Sequence, residues 1–240
     1  MPEYLNKNLI MLILKCKSPE SLYNYWPISL CNSVYKLVTK IIVTKIIVGH
    51  LRHLLPSLVS PLQTAFVPSR KGVDNAILVQ EIVHSMSRRK GRTGLMAIKI
   101  DMEKAYDRLE WSFIRDTLKF FNFPNHLISL IMSCVSTSSI SVLVNGGGLD
   151  YFQPSRGICQ EDPLSPYLFI LCMEVLGTLI TEKCEAKFWD PVKAALGGIA
   201  FSHIFFADDL VLFAKADRKN FIAIKDAIET FYVLFWAKGE

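Results

Sequence analysis

FFADDLVLF, Phe205–Phe213, sets two adjacent carboxylates, Asp208 and Asp209, among seven apolar residues. The flanking halves HIFFA and LVLFA are rich in strand formers, so the stretch predicts strand, turn, strand over residues 201–214. Burying an ionised carboxylate is costly unless something positive pairs with it. Asp-Asp is also common turn chemistry, and FADD alone does not choose between the two readings. A third acid tips the balance. Asp101 follows the apolar run GLMAIKI, residues 94–100, which reads as another strand. If these strands are neighbours, two or three carboxylates converge at one edge of a sheet. Their repulsion makes a divalent cation the natural partner. Mg²⁺ is held by one or two carboxylates together with substrate phosphates, and a pair of such ions suits in-line phosphoryl transfer.

The rest of the chain predicts an α+β fold. Residues 9–15 and 139–144 read as strands, and Asn145-Gly146 gives the turn of a hairpin that returns through DYFQP. Helices are predicted from Ser29 to His53, from Asp74 as cap to about Arg89, at 111–121, at 125–134, from Ser165-Pro166 to about Cys184, and at 221–235. The first contains the tandem repeat TKIIV-TKIIV, Thr39–Val48. Residues 56–70 read as a loop with three prolines. No linker or low-complexity segment divides the chain. The expected architecture is a few antiparallel strands with helices packed on one face.

Composition agrees with one large domain or two small ones. The 240 residues are 51% hydrophobic, with 27 Lys and Arg against 22 Asp and Glu, a mild basic excess that permits a polyanionic partner. The six cysteines contain no CxxC pair, which argues against a zinc knuckle and for reduced intracellular thiols. The longest nearly apolar run, residues 167–180, is too short to span a bilayer and carries Glu174. No membrane partner is expected.

Five segments, in order, carry a family resemblance: PISLCNSVYKLVTK, SPLQTAFVPSRKGVDN, KIDMEKAYDRLEW, PSRGICQEDPLSPYLFILCMEVL and FFADDLVLFAK. Together they resemble the reverse transcriptase domain of plant non-LTR (LINE-type) retrotransposons. The resemblance implies a right-hand polymerase: fingers over about residues 1–95, an antiparallel palm over about 96–240, and no thumb within the sequence. It implies that Asp101 and Asp208 bind two Mg²⁺ or Mn²⁺ ions, and that Asp209 completes the acidic box. Tyr106 takes the steric-gate position that disfavours a ribose 2′-OH. By the same resemblance Gln160 would meet the incoming nucleotide and template, Arg70 the triphosphate, and Lys99 a phosphate. The implied partners are an RNA template, a DNA primer and dNTPs, and the implied setting is nuclear.

The same palm also admits an inactive remnant that binds nucleic acid, or a nucleotidyl cyclase. Tyr106 and the QEDPLSP loop, which a cyclase does not need, argue against the cyclase.

Four departures separate this chain from the family pattern. Glu161 replaces a glycine after Gln160, Trp26 replaces an arginine before PISL, Cys159 stands where a basic residue is common, and the TKIIV repeat lengthens a helix. With the missing thumb, they imply a fragment or decayed copy with weak activity or none. Glu161 adds bulk and negative charge where a polyanion must approach. Primer extension by Glu161→Gly should therefore exceed that of the parent chain, and equal extension would remove the argument.

Overall fold

The computed structural model describes residues 7–31, 47–89, 94–102, 104–137, 139–144, 146–159, 162–194 and 198–236. In chain order the strands are β1 (Lys7–Leu14), β2 (Tyr25–Cys31), β3 (Leu95–Asp101), β4 (Ser139–Val144), β5 (Gly147–Gly148), β6 (Val192–Lys193), β7 (Ala200–Phe201), β8 (His203–Phe206) and β9 (Asp209–Lys215). The helices are α1 (Gly49–Leu58), α2 (Gly72–Arg88), the single turn α3 (Ala105–Arg108), α4 (Trp111–Phe120), α5 (Asn125–Ser136), α6 (Ser165–Glu185) and α7 (Arg218–Trp236). Two compact units form, each from two stretches: Met1–Gly49 with Tyr106–Pro166, and His50–Ala105 with Tyr167–Glu240. Among the described residues no helix is long and apolar enough to cross a membrane.

The first unit is built on a four-stranded sheet of order β2-β1-β4-β5. β1 runs antiparallel to β2, with Leu14 opposite Tyr25 and Ile10 opposite Ser29, and parallel to β4. The helix expected from Ser29 is thus a strand through Cys31, because β1 offers a hydrogen-bonding edge that local propensity does not reveal. Residues 39–46 of the TKIIV repeat lie outside the described residues. At the expected hairpin, Gly146 takes φ 82°, β5 pairs back onto β4, and Phe152 bridges Ile140. Asn145 lies outside the described residues. Trp26 is exposed, and the Lys15 ammonium stands 4.3 Å from the centre of its ring. Positive charge therefore remains at the position where the family pattern has arginine.

A second feature of this unit lies at Gly157. Its φ is 88°, and a β-carbon there would fall 2.9 Å from the Asp107 carbonyl oxygen. The Gly157 N–H donates to the Leu109 carbonyl, its own carbonyl accepts from Trp111 Nε1, and the Ile158 N–H donates to the Tyr106 carbonyl. Arg156 pairs with the nearly buried Glu110 at 3.6 Å. The glycine allows one loop to lie flat along residues 106–111.

The second unit is built on the antiparallel sheet β3-β9-β8. Leu210, Leu212, Phe213 and Ala214 of β9 are all fully buried, so both faces of the sheet need cover. Ile82 of α2 packs with Ile204 and Phe213 on one face. On the other, Gly177 of α6 lies against Phe205 and His203. The α+β class holds, and the helical cover extends to both faces rather than one.

Two further expectations are amended in this unit. α1 continues through Pro56 to Leu58, since burial of Leu51 and Leu55 at i, i+4 outweighs the single hydrogen bond that the proline forgoes. Asp74 is not the cap of α2. Lys71 holds that position, and Asp74 sits in the first turn, where its charge still favours the helix N-terminus.

Behind the sheet two titratable side chains are buried. His203 is 1% exposed, and its Nδ1 meets Ser202 Oγ at 2.9 Å. Burial lowers its pKa from 6.5 to about 4. Burial raises that of Glu174 from 4.5 to about 7, opposed by the Ser60 N–H and by Arg70.

Two expectations follow from these contacts. Gly157→Ala must strain the backbone or displace Asp107, so its unfolding free energy in urea should drop by roughly 2 kcal/mol or more. The buried pair gives opposing pH slopes. His203 contributes stability that is complete above pH 6.5 and is lost as pH falls toward about 4. The contribution of Glu174 is complete below pH 4.5 and is lost as pH rises through about 7. Denaturation midpoints of Glu174→Gln should fall on acidification from pH 6.5 to 4. Those of His203→Gln should rise between pH 7 and 4.5.

Candidate active site

Asp101 closes β3 and Asp209 opens β9, and the ladder between the strands sets the two directly opposite each other. Opposed residues share a face of a sheet, as do residues two apart on one strand. Asp101, Asp209 and Lys99 therefore stand together. Lys99 Nζ lies 2.9 Å from Asp209 Oδ1, with the two side chains 66% and 44% exposed. An ion pair this wet contributes little stability, but it reports on its surroundings. The Lys99 pKa is raised, first by the hydrogen bond and charge of Asp209, then by the charges of Asp101 and Asp208. All three acids act on one ammonium.

Asp208 occupies the β8–β9 turn and is exposed. Phe206 pairs with Asp209, so the turn has two central residues, Ala207 and Asp208. Ala207 takes φ 53°, the left-handed region that a β-carbon disfavours. The structure thus brings Asp101 and Asp209 into register and holds Asp208 beside them in the turn.

The donor set fits a hard divalent cation. Carboxylate oxygens are its preferred ligands, and one or two of them suffice when water and phosphate complete the shell. Among the described residues no three His, Cys, Asp or Glu side chains stand close enough to hold an ion by themselves. Such a site would be completed by a substrate rather than closed by protein. A cavity of about 760 Å³ opens on the same face, between Gly72, Asn75 and Val79 of α2 and Lys99, Phe206 and Asp209 of the sheet.

The other expected residues stand as follows. Arg70 directs its guanidinium inward. Nη1 donates to the carbonyls of Ser60 and Gln63, and Nη2 to those of Val59 and Pro56. Burial lowers its pKa, while the charge of Glu174 raises it. A triphosphate contact by Arg70 would require those carbonyl bonds to be exchanged. Tyr106 belongs to the first unit, half-buried, with its carbonyl held by Ile158. Gln160 and Glu161 lie outside the described residues.

Sequence reasoning missed Gln63 and Asn75, two buried amides whose side chains bond the backbone of the acidic strand–turn unit. A polar residue on the inward face of the α2 pattern was the available signal for Asn75. Gln63 lies in an aperiodic loop and left none.

The reverse transcriptase (RNA-dependent DNA polymerase) family matches residues 15–234. The Pol polyprotein of the type-2 retrotransposable element R2 of Drosophila melanogaster is 34% identical over 65% of this chain, which spans 14% of that protein. An uncharacterized 149 kDa protein of the transposon TX1 from Xenopus laevis is 26% identical over 91% of this chain, which spans 16% of it. Among solved structures, telomerase of Candida tropicalis in complex with a telomeric RNA fragment superposes with TM-score 0.64 at 15% identity, over 96% of this chain and 39% of that one. That likeness concerns the fold alone. The match over residues 15–234 settles the affiliation: this chain belongs to the reverse transcriptase family.

Proposed function

We propose that this chain is the polymerising domain of a non-LTR retrotransposon protein, which extends a DNA primer on an RNA template by metal-assisted nucleotidyl transfer, its activity here weakened by Glu161 and the other departures from the family pattern. The observation that carries this reading is the register of β3 and β9. It sets Asp101 opposite Asp209 with Asp208 in the adjoining turn, and all three charges converge on Lys99. Three acids from distant parts of the sequence, drawn to one exposed sheet end, suit chemistry on a polyanion and gain nothing from packing.

In this reading Asp101 and Asp208 hold the ions, and Asp209 stands opposite Asp101, paired to Lys99. Divalent ions bound there, Mg²⁺ or Mn²⁺, would activate the primer hydroxyl and neutralise the triphosphate. The 3′-hydroxyl attacks the α-phosphate of a dNTP, and pyrophosphate leaves. Lys99, once released from Asp209, offers its ammonium to a phosphate. Tyr106 crowds the sugar edge and selects deoxynucleotides, and Gln160 contacts nucleotide and template. Arg70 shapes the 59–63 loop through its carbonyl bonds and reaches a phosphate only by giving them up. Contacts to RNA and DNA run to backbone and shape, since base pairing chooses the sequence.

The match to the RNA-dependent DNA polymerase family over residues 15–234 lends support to an RNA partner. The purified chain, given an RNA homopolymer, a complementary DNA primer and the matching dNTP, should incorporate label with Mg²⁺ or Mn²⁺. Asp101→Asn should lower the rate about 10²-fold or more. Binding of the primer–template without incorporation would select the inactive remnant instead, and a cyclic product from ATP or GTP alone would select the cyclase.

A further inference from the structure

We propose that Gln63 and Asn75 are positioning residues that brace the acidic turn from behind and so set where Asp208 and Asp209 stand. The proposal rests on the polymerase reading for its consequence, but its structural part stands alone.

The turn has two reasons to relax. Ala207 carries a β-carbon at φ 53°, where a two-residue hairpin turn favours glycine. The acids at positions 208 and 209, with Asp101 across the ladder, repel one another. Something must oppose both tendencies, and the loop 59–67 with α2 supplies it. Gln63 Oε1 accepts the Ala207 N–H at 3.3 Å and the Ala65 N–H at 3.0 Å. The Leu62 carbonyl accepts the Phe205 N–H at 2.9 Å, and residue 63 bridges Phe205 in parallel. Asn75 Nδ2 spans the same gap, donating to the carbonyls of Leu62 and Phe205, both at 2.9 Å. The backbone of the strand–turn unit is therefore tied at Phe205 N–H, Phe205 C=O and Ala207 N–H.

Both braces are buried, at 1% and 6% exposure. Gln63 Nε2 lies buried with no hydrogen-bond partner. An orphaned amide N–H₂ carries a penalty that packing alone would have removed in favour of an apolar side chain. The one productive end of Gln63 is the oxygen that faces the turn. Asparagine is likewise a poor choice inside a helix, and Asn75 makes no bond within α2 that would justify it; its amide is directed at the strand. The loop itself is held. Arg70 gathers three of its carbonyls, those of Val59, Ser60 and Gln63, together with that of Pro56 near the end of α1. The brace thus runs from Arg70 through Gln63 to the acidic turn.

The test uses the whole chain and four variants. Gln63→Met keeps the volume and loses the acceptor. Gln63→Glu keeps an acceptor. Asn75→Leu removes the second tie. Gln63→Met combined with Ala207→Gly removes the acceptor but also the reason it is needed. Three quantities are read: amide hydrogen exchange of Ala207, Asp208 and Leu210, Mn²⁺ affinity by calorimetry, and kcat against KM for dNTP. Gln63→Met and Asn75→Leu should speed exchange at the turn, weaken Mn²⁺ by about tenfold or more and lower kcat with KM nearly unchanged, as expected when a positioning residue is lost. Gln63→Glu should retain most of the parent behaviour, and adding Ala207→Gly should restore Mn²⁺ affinity to Gln63→Met. Thermal unfolding within a few degrees of the parent confirms that each variant folds. Parent-like exchange and affinity in Gln63→Met would overturn the proposal, and so would failure of Ala207→Gly to rescue. If the parent chain takes up no Mn²⁺, the polymerase reading fails instead, while exchange at Ala207 to Leu210 and its recovery in the double variant still decide whether the brace exists.

Discussion

Everything at the candidate site depends on one ladder. Seven residue pairs join β3 to β9, from Leu95 opposite Lys215 to Asp101 opposite Asp209. A slip by one residue would turn every side chain to the other face. Burial prevents it. Leu210 and Leu212 are enclosed to within 1% of their surface, and each such side chain contributes roughly 1.5–3 kcal/mol. The repulsion between two exposed carboxylates in water at cross-strand distance is nearer 1 kcal/mol. The hydrophobic rungs therefore fix the register and the acids must accept it. Lys99 relieves part of the repulsion from the same face.

The second level of order is polar and lies in the loop from Val59 to Arg70. Loops are normally wet because their backbone groups have no other partners. This one turns inward at Gln63, Thr64 and Ala65, which are buried. Arg70 supplies donors to three of its carbonyls and to that of Pro56 in α1, and Gln63 accepts the Ala65 N–H. The cost shows in the orphaned atoms nearby: Gln63 Nε2, Thr64 Oγ1, Glu174 Oε2 and His203 Nε2. So many unsatisfied groups near one strand pair mark a region shaped by something other than stability.

Much of this was readable from the residues. Apolar runs rich in strand formers located β3, β8 and β9, and the acids at their ends predicted where the strands must meet. Apolar spacing located α4, α5, α6 and α7 to within a few residues. What could not be read had non-local causes. Residues 29–31 form a strand because β1 lies beside them, and no window of local sequence contains that fact. Pro56 lies inside α1 because Leu51 and Leu55 have a core to enter. At Arg70 the sequence shows a guanidinium's charge but not the carbonyls that surround it. Gln63 and Asn75 act through side-chain bonds to distant backbone, which leave no periodicity.

Each compact unit is assembled from two separated stretches, and this bears on biosynthesis. β3 emerges from the ribosome by residue 101, yet the strand that completes its sheet begins only at residue 209. Until then Leu95, Met96, Ala97, Ile98 and Ile100 have an open hydrogen-bonding edge and no β9 to cover it. Unpaired apolar edges of this kind are templates for aggregation. The charges at Lys99 and Asp101 interrupt that edge during the wait, so residues placed for chemistry can also keep the nascent strand apart from its neighbours on a polysome.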